Sequence, residues 1–378
     1  MLGTDNILAL PVIRTLGALL PDATIHTLSY DKDKSHNSEH SKYVSSRHYF
    51  KSTKSAEIIE ELIDKIEETA ADILLPIDER DVKLLSIYRY KLNSKVYLPP
   101  LPNVSILDKL IYKNHLADFL QKNDFPCPAT YHLGRLDTAT LDNYLTPYLL
   151  KPIRGSAGQN IREITSKKEL EEALLTLNAD DYILQEFVPG QNFSCSLLAE
   201  NGNILAETIQ LELESRNFSI STAIRFVENK AISEATRRII KRANYNGLAN
   251  LDFRVDERNG QPNLVDFNAR FWSNISGSKI AGVDFVLLAC LAAMSIPFEK
   301  PVSNGNTYLM GRSILNYYRK KMLRPIYRVD THSTYTDLWE RIDDPLPEMV
   351  RFLRSKTAHQ KKSKPDGHNI FSHIKISE

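Results

Sequence analysis

The first 100 residues alternate amphipathic helical segments with short apolar segments, and no other feature of the sequence limits the fold as strongly. In the helical segment 55–72, Ile58, Ile59 and Leu62 fall on one face. The short run ILLPI is compact and apolar, which is typical of a buried parallel strand. Alternation of this kind predicts a doubly wound α/β unit. The predicted segments are helices at 6–20 and 55–72 and strands at 24–30 and 73–77.

The chain has no obvious opening strand for such a unit. Only Met1 and Leu2 precede the turn sequence GTDN. Either the first strand is missing or the true start lies upstream of Met1, and we take the second as a working hypothesis. An upstream in-frame start that encodes an apolar segment would support it.

Length and composition exclude several classes of protein. A chain of 378 residues has room for two or three domains, and its formal net charge of +1 gives no bulk attraction to nucleic acid or to acidic membranes. Cys127, Cys195 and Cys290 are far apart and no CxxC occurs, so neither a zinc knuckle nor a disulfide framework is indicated. The apolar run 285–298 is shorter than a membrane span and predicts a buried helix. The N-terminus lacks the basic region of a secretory signal, and we expect a cytoplasmic protein.

Two helices in the middle of the chain have recognisable starts. The proline-rich stretch 99–104 is typical of a linker. A helix over 105–123 follows it, with Ser105 and Asp108 as a predicted capping box. A later helix starts at Ser166, with Glu169 three residues on.

Polar residues of three chemical types share one face of a predicted hairpin. Its strands are LANLDFRVD and PNLVDFNARFW, joined by ERNGQ. Asp252 can therefore lie beside Asp266, and with Asn268 they offer the hard oxygen ligands that Mg²⁺ prefers. Arg270 can clamp an oxyanion with two hydrogen bonds. The alternative is a structural ion pair between Arg270 and Asp266. The other face of the second strand is expected to hold Val265, Phe267, Ala269 and Phe271.

A glycine-containing loop follows the strand YLLK. Lys151 ends this strand, and Gly155, Ser156 and Gly158 follow it. Small residues allow successive backbone N–H groups to surround a phosphate, and Lys151 adds a positive charge. The loop is neither a Walker A sequence nor GxGxxG, and an ordinary turn is the alternative interpretation.

Another apolar strand, YILQEFV, offers contacts to a nucleotide base. Its main chain can pair with an adenine edge, while Gln185 and Asn192 can reach the base and the ribose.

In this order, the motifs resemble those of the ATP-grasp superfamily over residues 1–300. The run NARFWSNISGSKIAGVDF is similar to the NPRFWGS…AGVDF run of carboxylate–amine ligases that resemble the carbamoyl-phosphate synthase large subunit. The resemblance implies an α/β and α+β fold, in which a doubly wound pre-ATP-grasp domain precedes a two-lobed ATP-grasp domain. The implied parts are the pre-ATP-grasp domain 1–103, the ATP-grasp lobes 104–187 and 188–318, and a polar extension 319–378, whose end we expect to be mobile.

The resemblance also implies roles for individual residues. Relatives usually have Glu at the position of Asp266 and acidic residues at those of Gln185 and Asn192, so three positions depart from the pattern. Catalysis would fall to Arg270 and Lys151, and metal binding to Asp252, Asp266 and Asn268. The implied ATP contacts are Lys109, Lys151, Gly155, Ser156, Gly158, Gln185, Glu186, Phe187, Val188 and Asn192.

The implied activity is that of an ATP-dependent ligase that joins a carboxylate to an amine. It would require Mg²⁺, with Mn²⁺ as a possible substitute, and would activate the carboxylate as an acyl phosphate. Arg216 and Arg225 are candidates for the substrate carboxylate, although solvated arginines on a hairpin are the simpler interpretation. A small-molecule kinase and a nucleotide-binding protein without turnover are the alternatives. We expect small-molecule carboxylate and amine substrates, no nucleic-acid partner and no membrane span, with a homodimer as the candidate assembly.

Overall fold

The computed structural model describes residues 1–31, 37–136, 147–155, 158–215, 221–311, 314 and 334–360. Its helices are α1 (Ala9–Leu19), α2 (Ser55–Thr69), α3 (Glu79–Leu92), α4 (Val104–Ile111), α5 (Lys113–Lys122), α6 (Lys167–Leu174), α7 (Lys230–Ala243), α8 (Ile275–Ile280), α9 (Phe285–Ala293), α10 (Leu338–Asp343) and α11 (Leu346–Gln360). Its strands are β1 (Ile25–Ser29), β2 (Val44–Tyr49), β3 (Thr130–His132), β4 (Tyr148–Pro152), β5 (Arg162–Ile164), β6 (Tyr182–Glu186), β7 (Gly190–Glu200), β8 (Asn203–Ser215), β9 (Ser221–Phe226), β10 (Gly247–Asp256), β11 (Pro262–Asn268), β12 (Thr307–Leu309) and β13 (Thr334–Thr336).

The N-terminal part is a small parallel α/β unit. β1 and β2 pair in parallel, and Leu2 forms single parallel bridges to Leu28 and to Pro76. Leu2 therefore lies between β1 and the segment 73–77. The parallel strand predicted at 73–77 is present only as isolated parallel bridges, from Pro76 to Leu2 and from Ile73 to Tyr97.

A four-stranded antiparallel sheet follows, in the order β3-β6-β4-β5. Its apolar face packs against α6, and Leu150, Leu170 and Leu184 are almost completely buried there. The hydroxyl of Ser166 accepts a hydrogen bond from the N–H of Glu169 at 3.3 Å, so the predicted start of α6 is confirmed.

A seven-stranded sheet forms the largest layer, in the order β11-β10-β7-β8-β9-β12-β13. On one of its faces, Ile239 and Ile240 of α7 pack into the same core as Leu197 and Leu251 of the sheet. The architecture is thus mixed α/β, with an N-terminal unit followed by two sheet-containing units. The domain limits 1–103, 104–187, 188–318 and 319–378 stay predictions.

The helix predicted at 105–123 is broken. Tyr112 adopts an extended conformation and separates α4 from α5. The predicted capping box is also wrong: Asn103 is the N-cap, and Asp108 instead pairs with the ammonium of Lys83 at 2.7 Å. The break makes Lys113 the first residue of α5.

Part of the predicted polar extension is folded. β13 pairs in parallel with β12, and α10 follows it directly. Asp344 is fully buried and its carboxylate lies 3.1 Å from the guanidinium Nε of Arg14. The expectation of a mobile end falls largely on residues 361–378, which lie outside the described residues. Among the helices that are described, none is both long and apolar enough to cross a membrane.

Candidate active site

A cavity of 720 Å³ lies where the N-terminal unit, the four-stranded sheet and the seven-stranded sheet meet. Lys109, Gly155 and Arg225 do not line it, and Ser156 and Arg216 lie outside the described residues. The predicted site residues that line the cavity are Lys151, Gly158, Gln185, Glu186, Phe187, Val188, Asn192, Asp252, Asp266, Asn268 and Arg270.

The hairpin of β10 and β11 forms the floor of the cavity. Asp252 and Asp266 are direct cross-strand partners, so the two carboxylates lie side by side as the predicted hairpin allows. Asn250 and Asn268 donate hydrogen bonds to the two oxygens of Asp252, at 3.0 and 3.1 Å. Burial, followed by the negative charge of Asp266, raises the pKa of Asp252 to about 7. A cation bound between these carboxylates would favour their charged forms.

A bulge in this hairpin changes which residues face the cavity. The register shifts between Asp252 and Phe253, so that Val265 has no direct partner on β10. Val265 lines the cavity together with Asp266, whereas Phe267 is buried in the core. The simple alternation is therefore wrong at Val265 and holds from Asp266 onward.

Arg270 is held at the end of the floor by several acceptors. Its Nη2 donates to Asn268 Oδ1 at 3.0 Å and its Nη1 to the carbonyl of Phe271 at 2.9 Å. Its Nε lies 3.4 Å from a carboxylate oxygen of Asp78, at the start of α3. Asp266 instead pairs with Lys113, at 3.2 Å. The alternative of an Arg270–Asp266 ion pair is therefore not what the structure contains.

Two lysines lie beside the floor. Lys151 is buried and donates to Gln185 Oε1 at 2.7 Å, and burial lowers its pKa to about 8. Lys113 is also buried, and its ammonium contacts both Asp266 and the carbonyl of Gly155, each at 3.2 Å. Lys109 is exposed in the last turn of α4.

Lys113 was missed by sequence reasoning. In the single helix predicted over 105–123, Lys109 and Lys113 are four residues apart and share one face. The sequence does not indicate which of the two lysines lies at the site. The break of the helix at Tyr112 determines that it is Lys113.

The glycine loop approaches Lys113. Gly155 and Gly158 have φ values of +145° and +71°, conformations that glycine adopts readily and other residues rarely do. The backbone at these two positions therefore favours glycine, and phosphate binding by the loop stays a prediction.

The wall opposite the loop is built around β6 and β7. Gln185 bridges Lys151 and the hydroxyl of Thr130, to which its amide donates at 3.0 Å. Asn192 donates to Glu212 Oε1 and accepts from Arg254 Nη1, both at 2.9 Å. Glu212 and Arg254 also line the cavity and were not predicted. Glu212 supplies, from the neighbouring strand, an acidic group beside Asn192.

The floor has the chemistry of a magnesium site that is completed by a ligand. Asp252, Asp266 and Asn268 supply hard oxygen atoms, and Mg²⁺ in proteins commonly combines one or two carboxylates with phosphate oxygens and water. Within the described part of the chain, no cluster of three or more His, Cys, Asp or Glu side chains could hold a metal by itself. The residues present therefore fit magnesium that arrives with a phosphate compound.

The family model of the ATP-grasp domain matches residues 111–274. This range includes the glycine loop, the wall built around β6 and β7, and the hairpin floor. The chain therefore contains an ATP-grasp domain, and the resemblance found in the sequence is confirmed at this level.

Solved structures share this fold at low sequence identity. An L-amino acid ligase from Bacillus licheniformis is 18% identical, with 80% of this chain and 74% of that chain covered and a TM-score of 0.60. An N5-carboxyaminoimidazole synthetase from Staphylococcus aureus, complexed with ADP, is 13% identical, with 85% of each chain covered and a TM-score of 0.65. The biotin carboxylase domain dimer of a 2-oxoglutarate carboxylase from Hydrogenobacter thermophilus, with MgADP and bicarbonate, is 15% identical, with 81% and 72% covered and a TM-score of 0.61. No curated protein matches by sequence.

Proposed function

We propose that this protein is an ATP-dependent ligase that activates a carboxylate as an acyl phosphate and couples it to an amine. The observation that supports it best is the composition of one cavity: two buried lysines, two facing carboxylates with an amide, and an arginine. These are the groups that phosphoryl transfer requires, because its catalysis consists mainly of positioning and of neutralising negative charge.

In this proposal, ATP lies between the glycine loop and the β6–β7 wall. Lys113 and Lys151 contact its phosphates, and the backbone N–H groups between Gly155 and Gly158, including Ser156, surround the outer phosphates. The base lies against Gln185 and the main chain of residues 186–188, and the ribose against Asn192. The ADP present in two of the solved relatives supports an adenine nucleotide as the ligand.

The metal in the proposal is Mg²⁺, with Mn²⁺ as a substitute of the same ligand preference. Asp252 and Asp266 supply its carboxylate ligands, and Asn268 Oδ1, which accepts from Arg270 with one lone pair, offers it the other. When bound, it neutralises charge on the transferring phosphoryl group. The MgADP in the biotin carboxylase domain supports this choice of metal.

The chemistry then needs two transfers. A substrate carboxylate oxygen bonds to the γ-phosphorus, and the bond between that phosphorus and the bridging oxygen breaks to release ADP. The amine nitrogen then bonds to the acyl carbon, phosphate leaves, and the nitrogen loses a proton. Arg270 lies where it can stabilise charge on the carboxylate or on the transferring phosphoryl group.

The test is release of ADP and phosphate with pools of carboxylates and amines. A ligase requires both substrates and gives stoichiometric phosphate, and Asp266→Asn should reduce the rate by at least about 100-fold. A stable phosphorylated product without an amine would establish the kinase instead. Magnesium-dependent ATP binding without turnover on any pair would favour the nucleotide-binding protein.

A further inference from the structure

The floor of the cavity extends beyond the metal site as a block of polar side chains. The block crosses four adjacent strands, β11, β10, β7 and β8, in two rows of direct cross-strand partners. Such a polar block is unusual in the middle of a sheet whose other face packs against α7. One row contains Asn268, Asn250, Ser196 and Thr208, and the other contains Asp266, Asp252, Ser194 and Gln210.

Hydrogen bonds join most of these side chains into a chain that leads to Asp252. Asn250 Nδ2 donates to Asp252 at 3.0 Å, and Asn250 Oδ1 lies 2.8 Å from Ser196 Oγ. Ser196 Oγ accepts from Gln210 Nε2 at 3.0 Å, and Gln210 Oε1 lies 2.9 Å from Ser194 Oγ.

The groups at the two ends, the Asp252 carboxylate and the Arg270 guanidinium, determine which partner donates in every hydrogen bond. An ionised carboxylate only accepts hydrogen bonds, so Asn250 must turn its amide N–H toward Asp252 and its oxygen toward Ser196. The Ser196 hydroxyl must then donate to Asn250, which leaves its oxygen free to accept from Gln210. Arg270 only donates, so Asn268 turns its oxygen to Arg270 and its N–H to Asp252.

Ser196 is the informative member of the chain. It is fully buried and does not line the cavity, so it cannot touch a ligand there. Its hydroxyl is nevertheless the donor that holds the Asn250 oxygen away from Asp252. Without it, the Asn250 amide can rotate, and the Asp252 carboxylate loses one of its two fixed donors.

We propose that Asn250 is a positioning residue that fixes the Asp252 carboxylate for magnesium, and that Ser196 and Gln210 set its orientation. This inference rests on the proposed function, since it takes Asp252 as a magnesium ligand. The physical basis is general: groups that orient metal ligands typically change metal affinity by about 10–100-fold when they are removed.

The experiment measures the Mg²⁺ concentration that gives half of the ATP-induced rise in unfolding temperature, at fixed ATP. Ser196→Ala should raise this concentration by about tenfold. Thr208→Val is the matched control, because Thr208 is equally buried and accepts from Gln210 at 2.8 Å but lies on a side branch of the chain. It should stay within twofold of the wild type. Ser196→Thr, which keeps the hydroxyl, should restore most of the affinity.

An unchanged Mg²⁺ midpoint in a folded Ser196→Ala protein would overturn the positioning role while leaving the proposed function intact. An equal shift in Thr208→Val would also overturn it, because loss of any buried hydroxyl would then suffice. If the wild type shows no magnesium-dependent ATP effect, the proposed function and this inference fall together. Should Ser196→Ala not fold, Gln210→Met removes the preceding member of the same hydrogen-bond chain. It should also raise the Mg²⁺ midpoint.

Discussion

At the scale of single residues, Lys113 connects two parts of the site. Its ammonium lies 3.2 Å from Asp266 on the hairpin floor and 3.2 Å from the carbonyl of Gly155 in the glycine loop. A phosphate that enters between floor and loop would therefore meet a lysine already placed there. Lys109, four residues earlier in α4, is exposed and outside the cavity.

We expect Lys113→Met to lose most of the stabilisation by MgATP and Lys109→Met to keep it. A ligand at 100 times its Kd stabilises the folded state by about 2.7 kcal/mol, and a tenfold or greater loss of affinity removes about half of this or more. Thermal unfolding with and without MgATP measures it. A larger loss in Lys109→Met than in Lys113→Met would show that Lys109, and not Lys113, contacts the phosphates of MgATP.

The buried ammonium of Lys151 should leave a pH signature in stability. Its pKa is about 8 in the folded protein, because it is buried, and about 10.4 when unfolded. Between these values the unfolded chain binds a proton that the folded chain has released, so the free energy of unfolding rises with pH.

Relative to Lys151→Met, the wild type should therefore gain up to about 3 kcal/mol between pH 8 and about 10.4. Urea unfolding of both proteins across this range measures the difference, in which titrating groups remote from Lys151 cancel. A constant difference across the range would mean that Lys151 titrates normally.

At the scale of elements, the break between α4 and α5 is linked to the glycine loop. The guanidinium of Arg154, next to Gly155, lies 4.1 Å from the ring centre of Tyr112. The N–H of Lys113 donates to the carbonyl of Ile153 at 3.3 Å. The extended residue at the helix break is thus a docking point for the start of the loop.

We predict that Tyr112→Ala weakens MgATP binding by about twofold to fivefold, because a cation–π contact of this kind contributes about 0.5–1 kcal/mol. Tyr112→Phe keeps the ring and should bind as the wild type does. Calorimetric titration with MgATP distinguishes the two variants. Equal weakening in both would assign the effect to the phenol hydroxyl instead.

The same elements show what the sequence could predict. The short turn between the two strands indicates a hairpin, so it was predictable that Asp252 can lie near Asp266; their direct pairing, however, depends on the bulge, since the register next to the turn would pair Asp252 with Val265. The bulge at Val265 and the break at Tyr112 were not predictable, because both depend on tertiary neighbours. For the same reason, the sequence did not reveal Glu212 or Lys113, whose partners lie on other elements.

At the scale of the whole molecule, one buried ion pair joins the two ends of the described chain. The Asp344 carboxylate accepts from Arg14 Nε at 3.1 Å, from the Ser41 hydroxyl at 2.7 Å and from the N–H of Lys42 at 2.9 Å. Both charged side chains are almost completely buried. The segment after β13 is therefore fastened to α1 of the N-terminal unit.

Asp344→Ala should destabilise the protein by about 3–5 kcal/mol, because it removes the closer carboxylate partner of the buried Arg14 guanidinium and leaves it only Glu348, at 3.6 Å. Its neighbour Asp343 provides the control: its pair with Lys42 is half exposed on both sides, and Asp343→Ala should cost no more than about 1 kcal/mol. Denaturant unfolding of the two variants gives both values. Similar costs for both would mean that the buried pair contributes little.

The pairing of Arg14 with Asp344 also sets an order of events during synthesis. The two residues are 330 positions apart. At about 5–20 residues per second, a ribosome needs roughly 20–60 seconds to make the chain between them. Throughout that time the Arg14 guanidinium lacks the Asp344 carboxylate, because residue 344 has not yet been made. The N-terminal unit can therefore form early, but it reaches its final packing only after nearly the whole described chain has left the ribosome.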